Sequence, residues 1–577
     1  MGETNILGIS CYYHDSSAAL VKNGVVVAAA QEERFTGKKH DTSFPLNAAK
    51  FCLDSQGMTI GDIDHIAFYE KPVLKFDRFL SQSIEGFPET AKMFLRAVPF
   101  WFTEKLRVPR IVNKKLNYKG NIFFIEHHLS HAAASFLPSP FSNAAIVSVD
   151  GVGEWATTTW GEGENNAINL SGQINFPHSL GLFYSTMTAF LGFKVNNDES
   201  KIMALRAYGE ENKEKNKFYK KLKQVVEIRK NGSFALDMKY FSYHRGLKMP
   251  SAELSQLLDC PVRKKEERLK QKHKDIAAAG QMVYEEALFN LLNHVQKETG
   301  RKNIVIGGGC GLNSVANGKI INKTRFENIW IPPSPGDGGT SAGAALYAYK
   351  CILKKERKFI MKNAYLGPSF TNEEIKNFLK ENKIIYHAFK NEEEIVAKTA
   401  KLIDENNIIG WFQGKMEWGP RALGNRSILG NPCNLRAKNR LLKIKERENF
   451  RPLCPVVCRE DAHKYFHCDN PLPESTDFIT MVYKVKEDWR KRIPAVVHVD
   501  GTAGLQTIKE KDNPLYYNLI KKFEKLSGIP VIVNTSFNLG GKPIVNTPRD
   551  AYDCMMKTGI DCLVIGNYLV YKKENSN

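Results

Sequence analysis

The chain has 577 residues, of which 42% are hydrophobic and 25% are charged, a balance typical of a folded globular protein and not of a disordered or fibrous one. No run of about 18 apolar residues occurs, so we expect no membrane-spanning helix and no membrane partner. The eleven scattered cysteines, with no C-x-x-C pair, indicate a reduced, cytoplasmic protein instead of a secreted disulfide scaffold.

The formal net charge of +20 favours anionic partners, either nucleic acid or phosphorylated substrates. Much of the excess lies in the lysine-rich stretches 213–223 and 263–274, where glutamates are interspersed at helix-like spacing. This mixture favours solvated helix faces over a dedicated binding surface.

Short β-branched runs bounded by turn residues predict strands in the first half of the chain, at residues 6–9, 25–28, 122–125, 145–149, 304–306 and 329–331. Between them, residues 276–295 keep apolar side chains at three- and four-residue spacing, which predicts a helix. Strands that alternate with helices predict an α/β fold.

Two of these strands lead into similar acidic turns. Residues 6–10 enter His14-Asp15-Ser16-Ser17, and residues 145–149 enter Asp150-Gly151-Val152-Gly153. Each turn offers backbone N–H groups and a carboxylate together, which suits phosphate oxygens bound to Mg(II). Two such turns could hold one triphosphate from both sides, although each alone also fits an ordinary hairpin turn.

A third candidate segment runs from the strand at 304–306 into Gly307-Gly308-Gly309 and on to Asn313. Glycines allow a nucleotide to approach the backbone closely. The segment matches neither a Walker P-loop nor a dinucleotide-binding fingerprint.

Two histidines and two aspartates suggest a metal site. His127 and His131 stand four residues apart, so on a helix they share one face and can bind one ion. Asp150 and Asp337 follow strands and could add oxygen ligands. This donor set suits Fe(II), Zn(II) or Mn(II); the alternative is that the histidines are ordinary residues at a helix start.

The second half of the chain carries further predicted strands at 408–412, 531–533 and 562–565, with helical patterns at 373–381 and 393–405. A helix-like run at 341–358 ends in charged residues, and Leu366-Gly367-Pro368-Ser369 then breaks the pattern. We place a domain boundary there, which gives domains 1–360 and 361–577.

Cations lie on turns of the second half without balancing acids: Lys415, Arg421, Arg426, Lys443, Lys445, Arg447 and Arg451. Arginine forms paired hydrogen bonds to phosphate, so we expect a site for phosphorylated ligands. A solvated basic face and an RNA-backbone contact are the alternatives. Asn534, Thr535 and Ser536 follow the strand 531–533, where α/β sheets present ligand-binding groups.

One rival pattern is a small zinc site formed by Cys454, Cys458, His463 and His467. Its spacing is irregular for a zinc finger. Residues 455–457 also have the pattern of a buried strand, which disfavours zinc here.

Taken in chain order, these motifs resemble the O-carbamoyltransferase family of antibiotic and nodulation-factor biosynthesis. The resemblance covers nearly the whole chain and rests on the following segments: Gly8-Ile-Ser, His14-Asp15-Ser16-Ser17-Ala-Ala, His127-x-x-x-His131, Ser148-Val-Asp150-Gly151, Gly307-Gly-Gly, Gly336-Asp337-Gly338, residues 414–427 and Asn534-Thr535-Ser536-Phe-Asn538.

The resemblance implies a duplicated actin-like N-terminal domain, of the type found in sugar kinases and Hsp70, joined to a YrdC-like C-terminal α/β domain. The two acidic turns would be the paired phosphate loops of the first domain. The residues implied to contact ATP, with Mg(II), are Asp15, Ser16, Lys39, Gly151, Gly308, Gly309 and Asn313.

The implied activity is the formation of carbamoyl-adenylate from carbamoyl phosphate and ATP, followed by carbamoyl transfer to a hydroxyl of a small-molecule or glycan acceptor. His14 would be the base, and the metal, typically iron, would be held by His127, His131, Asp150 and Asp337. The residues expected to bind substrates are Tyr12, Lys415, Arg421, Arg426, Lys445, Arg447, Arg451, Asn534 and Ser536.

Three alternatives remain at this point. A sugar kinase of the actin-like fold would explain only the first domain. A tRNA-modifying enzyme of the threonylcarbamoylation type fits the charge, but no aromatic-basic RNA signature occurs, so nucleic acid is not expected as a partner. A hydrogenase-maturation enzyme would need an acylphosphatase unit and C-x-x-C fingers. The acceptor, the oligomeric state and the role of residues 498–502 stay open.

Overall fold

The computed structural model describes residues 3–576, which form a mixed α/β protein of two compact units. The first unit comprises Met1–Glu32 and Thr42–Met361, and the second comprises Glu33–Asp41 and Lys362–Asn577. The sequence analysis assigned residues 33–41 to the first domain, whereas they group with the second unit. Across residues 3–576, no helix has both the length and the apolar character needed to cross a bilayer.

The first unit contains the six strands predicted for it and further strands between them. They are β1 (Asn5–Ser10), β2 (Ser17–Lys22), β3 (Val25–Gln31), β4 (His65–Phe68), β5 (Asn121–Phe124), β6 (Asn143–Val149), β7 (Ala156–Glu164), β8 (Ala167–Asn175), β9 (Val226–Ile228), β10 (Phe234–Leu236), β11 (Asn303–Gly307) and β12 (Asn328–Trp330).

Two five-stranded sheets of this unit share one topology. Their orders are β3-β2-β1-β4-β5 and β8-β7-β6-β11-β12. In each sheet the first three strands are antiparallel, and the last two run parallel to the central one. The acidic turns therefore occupy matching positions, since one joins β1 to β2 and the other joins β6 to β7. A separate hairpin pairs β9 with β10.

Helices surround these sheets. The α-helices of the first unit are Leu46–Asp54, Pro72–Glu85, Ala91–Thr103, Val108–Leu116, His127–Phe136, Leu180–Phe190, Glu199–Leu205, Lys217–Lys223, Ala252–Leu258, Gln271–Thr299, Ser314–Asn317, Ile320–Lys323 and Asp337–Tyr347. Short 3₁₀ helices span Ile60–Asp62, Lys105–Arg107, Arg206–Tyr208, Met238–Tyr240 and Gly309–Leu312.

Two helix predictions can be compared with this set. The predicted helix 276–295 lies inside Gln271–Thr299 and is confirmed. The predicted run 341–358 is helical only through Tyr347 and a π-helical turn, Ala348–Ile352.

The helices His127–Phe136 and Asp337–Tyr347 cross at very short distance, and glycine makes this possible. A Cβ atom on Gly343 would lie 2.0 Å from the backbone oxygen of Ser130, and one on Gly8 would lie 1.9 Å from that of Ser341. Both helices begin just after the carboxyl ends of strands β5 and β12. The close crossing therefore brings their first turns together at one edge of the unit.

The second unit is built on an eight-stranded sheet of order β13-β23-β22-β14-β15-β21-β16-β20, with a small sheet of order β17-β18-β19. The strands are β13 (His387–Ala388), β14 (Ile409–Phe412), β15 (Arg426–Gly430), β16 (Cys454–Cys458), β17 (Phe466–His467), β18 (Val482–Val485), β19 (Thr502–Gly504), β20 (Gln506–Ile508), β21 (Val531–Ser536), β22 (Cys562–Ile565) and β23 (Tyr568–Tyr571).

The helices of the second unit include both predicted ones. They are Glu33–Thr36, Asn372–Glu381, Glu392–Asp404, Leu435–Ile444, Ala462–Tyr465, Glu487–Arg490, Pro514–Ser527 and Pro548–Lys557, with 3₁₀ helices Arg459–Asp461, Glu474–Phe478 and Lys572–Glu574. The helices Glu392–Asp404 and Pro514–Ser527 contribute apolar side chains to a core that contains Trp411 and Tyr516.

We predict that Gly343→Ala destabilises the protein by about 1–3 kcal/mol, because the added methyl group must push the two crossing helices apart. Urea unfolding of the full chain measures this change. Gly61→Ala is the matched control, since its Cβ would meet only Thr59 Oγ1 at 3.5 Å. Equal stability of the two variants would contradict the close-packing role of Gly343.

Candidate functional site

Four side chains that are far apart in the sequence meet in the first unit. One ligand atom from each of His127, His131, Asp150 and Asp337 lies within 4.8 Å of the others. His127 Nε2 lies 3.1 Å from His131 Nε2 and 3.3 Å from Asp150 Oδ2. His131 Nε2 lies 3.6 Å from Asp337 Oδ1. Atoms that each bind one ion at about 2.1 Å stand about 3.0 to 3.5 Å apart, so the spacing suits shared ligation.

The fold explains why these residues meet. His127 and His131 occupy successive turns of one helix face, and Asp337 is the first residue of the helix that crosses it. Asp150 directly follows β6, whose central place in its sheet brings it to the same edge. All four side chains are buried.

Outer contacts orient two of the ligands. The backbone N–H of Gly309 donates to Asp150 Oδ1 at 2.7 Å, which leaves Oδ2 facing the histidines. His131 Nδ1 lies 3.1 Å from the carbonyl oxygen of Pro335. Because a carbonyl only accepts, Nδ1 carries the proton and the Nε2 lone pair points toward the cluster, as in metal-binding histidines.

Asp337 is the strongest indication that a cation belongs here. Its side chain is 1% exposed, and neither carboxylate oxygen forms a hydrogen bond to any residue from 3 to 576. A buried ionised carboxylate without a compensating partner is strongly disfavoured. Two imidazoles and two carboxylates fit a divalent transition metal, although metal binding itself stays a prediction.

The charged side chains of the cluster shift one another's pKa values. Burial alone would raise the pKa of Asp150, but its hydrogen bond with His127 and the charge of His131 hold it well below its ordinary value. Burial would likewise lower the pKa of His127, but the charge of Asp337 and the hydrogen bond with Asp150 raise it. The site thus favours the ionised carboxylates that a metal requires.

His14 lies beside this cluster. Its Nδ1 is 3.0 Å from Asp15 Oδ2, and its Nε2 is 3.9 Å from Asp337 Oδ2. Burial would lower the pKa of His14, but the negative charge of Asp337 and the hydrogen bond with Asp15 raise it to about 9. A dication bound by the carboxylates would offset that charge and bring the pKa back toward the range that suits a general base.

The predicted nucleotide-binding residues of the first unit fall into two groups. Ser16 Oγ is buried and has no hydrogen-bond partner within residues 3–576, so it is free to meet a ligand. Gly308 adopts a φ of +85°, and a Cβ there would lie 2.2 Å from Val149 O. Gly151 has open space around it, with Leu182 as its nearest neighbour at 3.9 Å.

Asn313 differs from its predicted nucleotide role. Its Oδ1 caps the helix Ser314–Asn317 by accepting from Ala316 N, and its amide exchanges two hydrogen bonds with Gln281. These contacts use both polar atoms, so Asn313 is a structural residue. Gly309 likewise acts through its N–H on Asp150.

Glu154 is a site residue that the sequence analysis missed. Its carboxylate accepts from the backbone N–H of His127, with both oxygens within 3.1 Å, and Oε1 also accepts from that of Lys71 at 2.8 Å. Glu154 thereby fixes the first turn of the histidine helix. In the sequence, the position of Glu154 directly after the Asp150–Gly153 turn could have indicated that it belongs to the site.

A second cluster, of cations, lies in the second unit. Lys445 is buried, and burial followed by the charges of Arg447, Lys39 and Arg451 lowers its pKa well below the ordinary range. Burial and the charges of Arg451 and Arg421 lower the pKa of Arg447 to about 9. We call these five residues the cationic cluster. Of the five side chains only Lys445 is buried, while the three arginines are partly exposed and Lys39 is exposed. Repulsion among these neighbouring cations favours an anionic ligand.

Hydrogen bonds hold the cluster next to the end of β21. Lys445 Nζ donates to the backbone oxygen of Ser536 at 2.6 Å and to that of Asn538 at 2.9 Å. Arg447 Nη1 lies 3.4 Å from Thr535 Oγ1. Lys39 was predicted as a nucleotide contact of the first domain, whereas it contributes to this cluster of the second unit.

Two predicted substrate-binding cations lie elsewhere. The Arg426 guanidinium is buried, stacks 3.6 Å from the Phe412 ring centroid and donates to four backbone carbonyls, which makes it structural. Lys415 is exposed on the wall of a separate cavity of about 450 Å³. A cation engaged by carbonyls has little capacity left for phosphate.

Asn534 and Tyr12 also have mainly internal contacts. The Asn534 amide donates to Ala422 O at 3.0 Å and to Gln506 Oε1 at 2.5 Å. Tyr12 is buried with its ring edge-on to Phe100 at 5.8 Å. The core role that the sequence left open for Tyr12 therefore has direct support.

The rival zinc pattern does not assemble. Among the described residues, no metal-like group combines Cys454, Cys458, His463 and His467. Cys458 packs in the core of the second unit, and Cys454 Sγ donates to Gly504 O at 2.9 Å. The expected buried strand is present as β16.

Comparison with known families identifies the chain. The family described as Carbamoyltransferase N-terminus matches residues 5–346, and the one described as Carbamoyltransferase C-terminus matches residues 400–572. The protein therefore belongs to the carbamoyltransferase family and is a transferase.

Full-length relatives agree with this assignment. An uncharacterised Synechocystis protein is 43% identical over 99% of this chain and 97% of its own length. The nodulation protein NolNO of Sinorhizobium fredii is 33% identical over 98% of this chain and 80% of its own. Among solved structures, a dehydratase component of Acidaminococcus fermentans matches 61% of this chain and 99% of its own length. It is 18% identical with a TM-score of 0.33, and this likeness is too distant to support a conclusion.

We predict that His131→Ala and Asp337→Asn lose the metal, with affinity reduced well beyond about tenfold, because each removes a direct ligand. Elemental analysis after loading with Fe(II), Mn(II) or Zn(II) measures the bound metal, and thermal unfolding measures the stabilisation that it gives. His294→Ala, on a partly exposed helix face, is the control. Equal metal content in all three variants would contradict the assignment.

Proposed function

We propose that the protein is an O-carbamoyltransferase that forms carbamoyl-adenylate from carbamoyl phosphate and ATP and transfers the carbamoyl group to an acceptor hydroxyl. The observation that carries this proposal is a buried cluster of imidazoles and carboxylates in the first unit, with a group of neighbouring cations in the second unit, of a carbamoyltransferase-family chain. The first cluster is anionic and fits a metal. The second is cationic and fits phosphates.

The fold supports separate roles for the two units. The matching strand orders of the two first-unit sheets support a duplicated actin-like domain, in which the twin turns would face a nucleotide with Mg(II). The second unit would be the YrdC-like domain suggested by the sequence resemblance. We assign adenylate formation to the second unit and transfer to the first.

In the second unit, the arginines of the cationic cluster would bind the phosphates of carbamoyl phosphate and ATP. Lys445 would contribute only its charge, because its Nζ already donates to oxygens of Ser536 and Asn538. Arg447, Arg451 and Arg421 offer planar pairs of N–H donors that match phosphate oxygens. Ser536 and Thr535 lie at the same strand end and can add hydroxyl contacts. Carbamoyl phosphate would first lose its phosphate to water and leave carbamate, and a carbamate oxygen would then bond to the α-phosphorus of ATP as pyrophosphate leaves. In the adenylate the carbamoyl carbon carries AMP as a good leaving group, and the nucleotide supplies binding energy for the next step.

In the first unit, His14 would act as the base. Its Nδ1–H donates to Asp15, which leaves Nε2 free to take the proton from the acceptor hydroxyl. As that oxygen bonds to the carbamoyl carbon, the bond from this carbon to the phosphate oxygen breaks, and AMP leaves with the electron pair. A divalent metal at His127, His131, Asp150 and Asp337, typically iron in the resembled family, would supply Lewis-acid polarisation of the carbonyl.

The acceptor would be a hydroxyl-bearing small molecule or glycan, and the reaction would run in the cytoplasm, where ATP and carbamoyl phosphate are made. The eleven cysteines are free thiols, in keeping with that compartment. The printed name of one relative, a nodulation protein, agrees with the resemblance to carbamoyltransferases of nodulation-factor biosynthesis.

We predict that Arg447→Met lowers carbamoyl-phosphate-dependent exchange of pyrophosphate into ATP by roughly 10²-fold or more, since it removes a charge-assisted phosphate contact in a buried site. Lys443→Met is the matched control, because Lys443 is exposed on the neighbouring helix turn. Similar exchange rates in both variants would place adenylate formation elsewhere.

We predict that His14→Asn lowers carbamoyl transfer by about 10²- to 10⁴-fold while pyrophosphate exchange persists, because only the transfer step needs the base. Mass spectrometry of a panel of hydroxylated metabolites, incubated with enzyme, ATP, carbamoyl phosphate and Fe(II), measures transfer. His294→Asn should keep both activities. Loss of both half-reactions in His14→Asn would refute the role of His14.

A further inference from the structure

The helix Pro72–Glu85 exposes several apolar side chains and buries two cationic ones. Four of its exposed side chains are apolar, namely Val73, Leu74, Leu80 and Ile84, beside the acidic Asp77 and Glu85. Its inward face carries Lys75, which is 4% exposed, and Arg78, which is 9% exposed. A surface helix ordinarily buries its apolar stripe and exposes its cations, so the inward cations of this helix need a reason.

Lys75 has its partner. Lys75 Nζ donates to Glu70 Oε2 at 2.6 Å, and Lys105 Nζ donates to Glu70 Oε1 at 3.4 Å. Burial would raise the pKa of Glu70, but the charges of the two lysines lower it to about 2. One carboxylate thus already serves two cations, and within residues 3–576 it forms no hydrogen bond with Arg78.

Arg78 lacks such a partner. Within residues 3–576, its guanidinium forms one long hydrogen bond, from Nη1 to Gln82 Oε1 at 3.3 Å, and Nε donates to no acceptor. Its remaining contact is with the Phe176 ring, 5.0 Å from the centroid. A guanidinium offers five N–H donors, and leaving the buried Nε–H without an acceptor is costly.

The position of Arg78 connects it with the transfer site. The helix starts where the Lys71 N–H donates to Glu154, the residue that also holds His127. Lys75 Nζ lies 5.1 Å from the Tyr13 ring centroid, and the Tyr13 and His14 rings are 4.6 Å apart. Burial lowers the pKa of Arg78, and the negative charges of Glu70 and Glu154 oppose this shift.

Arg78 is connected to an open cavity through Gln82. The amide of Gln82, its hydrogen-bond partner, donates to the backbone oxygen of His244 at 3.0 Å. His244 lines an open cavity of about 670 Å³ in the first unit, a volume within the range of small-molecule sites. The cavity walls carry two acids, Glu89 and Glu253, and four cations: Lys92, Lys239, Arg245 and Lys248. The excess of positive charge favours an anion.

We propose that Arg78 binds an anionic group, a carboxylate or a phosphate, on the acceptor, so that the acceptor is an acidic hydroxyl compound. This inference rests on the proposed transfer to a hydroxyl at His14. A polyhydroxylated acid could place its reacting oxygen at His14 and its charge at Arg78, where the planar fork of guanidinium donors matches both anions.

Thermal unfolding of the full chain tests the anion site without turnover. At constant ionic strength, acetate and inorganic phosphate should raise the Tm of the wild type more than that of Arg78→Met. Arg110→Met, which removes an exposed cation of the same unit, should keep the full wild-type shift. If Arg78→Met also keeps it, the proposal is overturned.

Arg78→Lys gives a second comparison should Arg78→Met fail to fold. It keeps the charge but loses the planar fork, so we expect a phosphate shift smaller than that of the wild type. A shift equal to the wild-type value would count against an Arg78 anion site.

Two further arms identify which ligand carries the anion. Calorimetric titration with AMP should give the same Kd for wild type and Arg78→Met, and a weaker Kd in the variant would assign the anion to the nucleotide and overturn the acceptor role. With matched acceptors such as glucose and glucuronate, Arg78→Met should raise the KM for the acid roughly tenfold or more and leave that for the neutral sugar unchanged.

These arms separate two kinds of failure. If the wild type transfers no carbamoyl group to any acceptor, the proposed function fails, while the Tm arm still decides whether Arg78 binds anions. If transfer occurs but Arg78→Met treats acidic and neutral acceptors as the wild type does, the acceptor inference alone fails.

Discussion

Two buried carboxylates, those of Asp150 and Asp337, lie close together in the first unit, and positive charge must offset their repulsion. Like charges this close stay ionised together only when positive charge lies between them. Imidazoles supply part of it, and the pKa of His127 is raised accordingly. Within residues 3–576, the carboxylate oxygens of Asp337 form no hydrogen bond, so the protein's own groups offset its negative charge only in part. A dication is the simplest group that offsets the rest.

The repeated sheet topology explains how such a cluster arises from distant parts of the chain. Each half of the first unit contributes one helix that starts after the outermost parallel strand, with His127 at the start of one and Asp337 at the start of the other. The turns between the first two strands differ in role. The turn after β6 gives the ligand Asp150, whereas the turn after β1 gives His14 and its partner Asp15. The two halves thus have the same strand topology but contribute different polar side chains to the site.

The strands and the long helix could be predicted because their apolar periodicity is local. The clustering of the four side chains could also be predicted, because His127 and His131 have helical spacing, Asp150 follows a strand and Asp337 lies in a glycine-rich segment. Roles that depend on neighbours could not be predicted. Arg426 has the same sequence context as the other cations, yet its carbonyl contacts make it structural. Asn313 is bound by Gln281 from a helix far away in sequence, and Glu154 has no motif of its own.

Charge also explains why the proposed intermediate would leave the second unit. Burial, followed by the positive charges of neighbouring cations, lowers the pKa values of Lys445 and Arg447. Ligands that bring several negative charges, as ATP and carbamoyl phosphate do, relieve more of the repulsion among these cations than a ligand with one. Carbamoyl-adenylate carries a single phosphate charge, so it should be held less tightly than the reagents from which it forms. A site that favours polyanions therefore binds its substrates and releases its product.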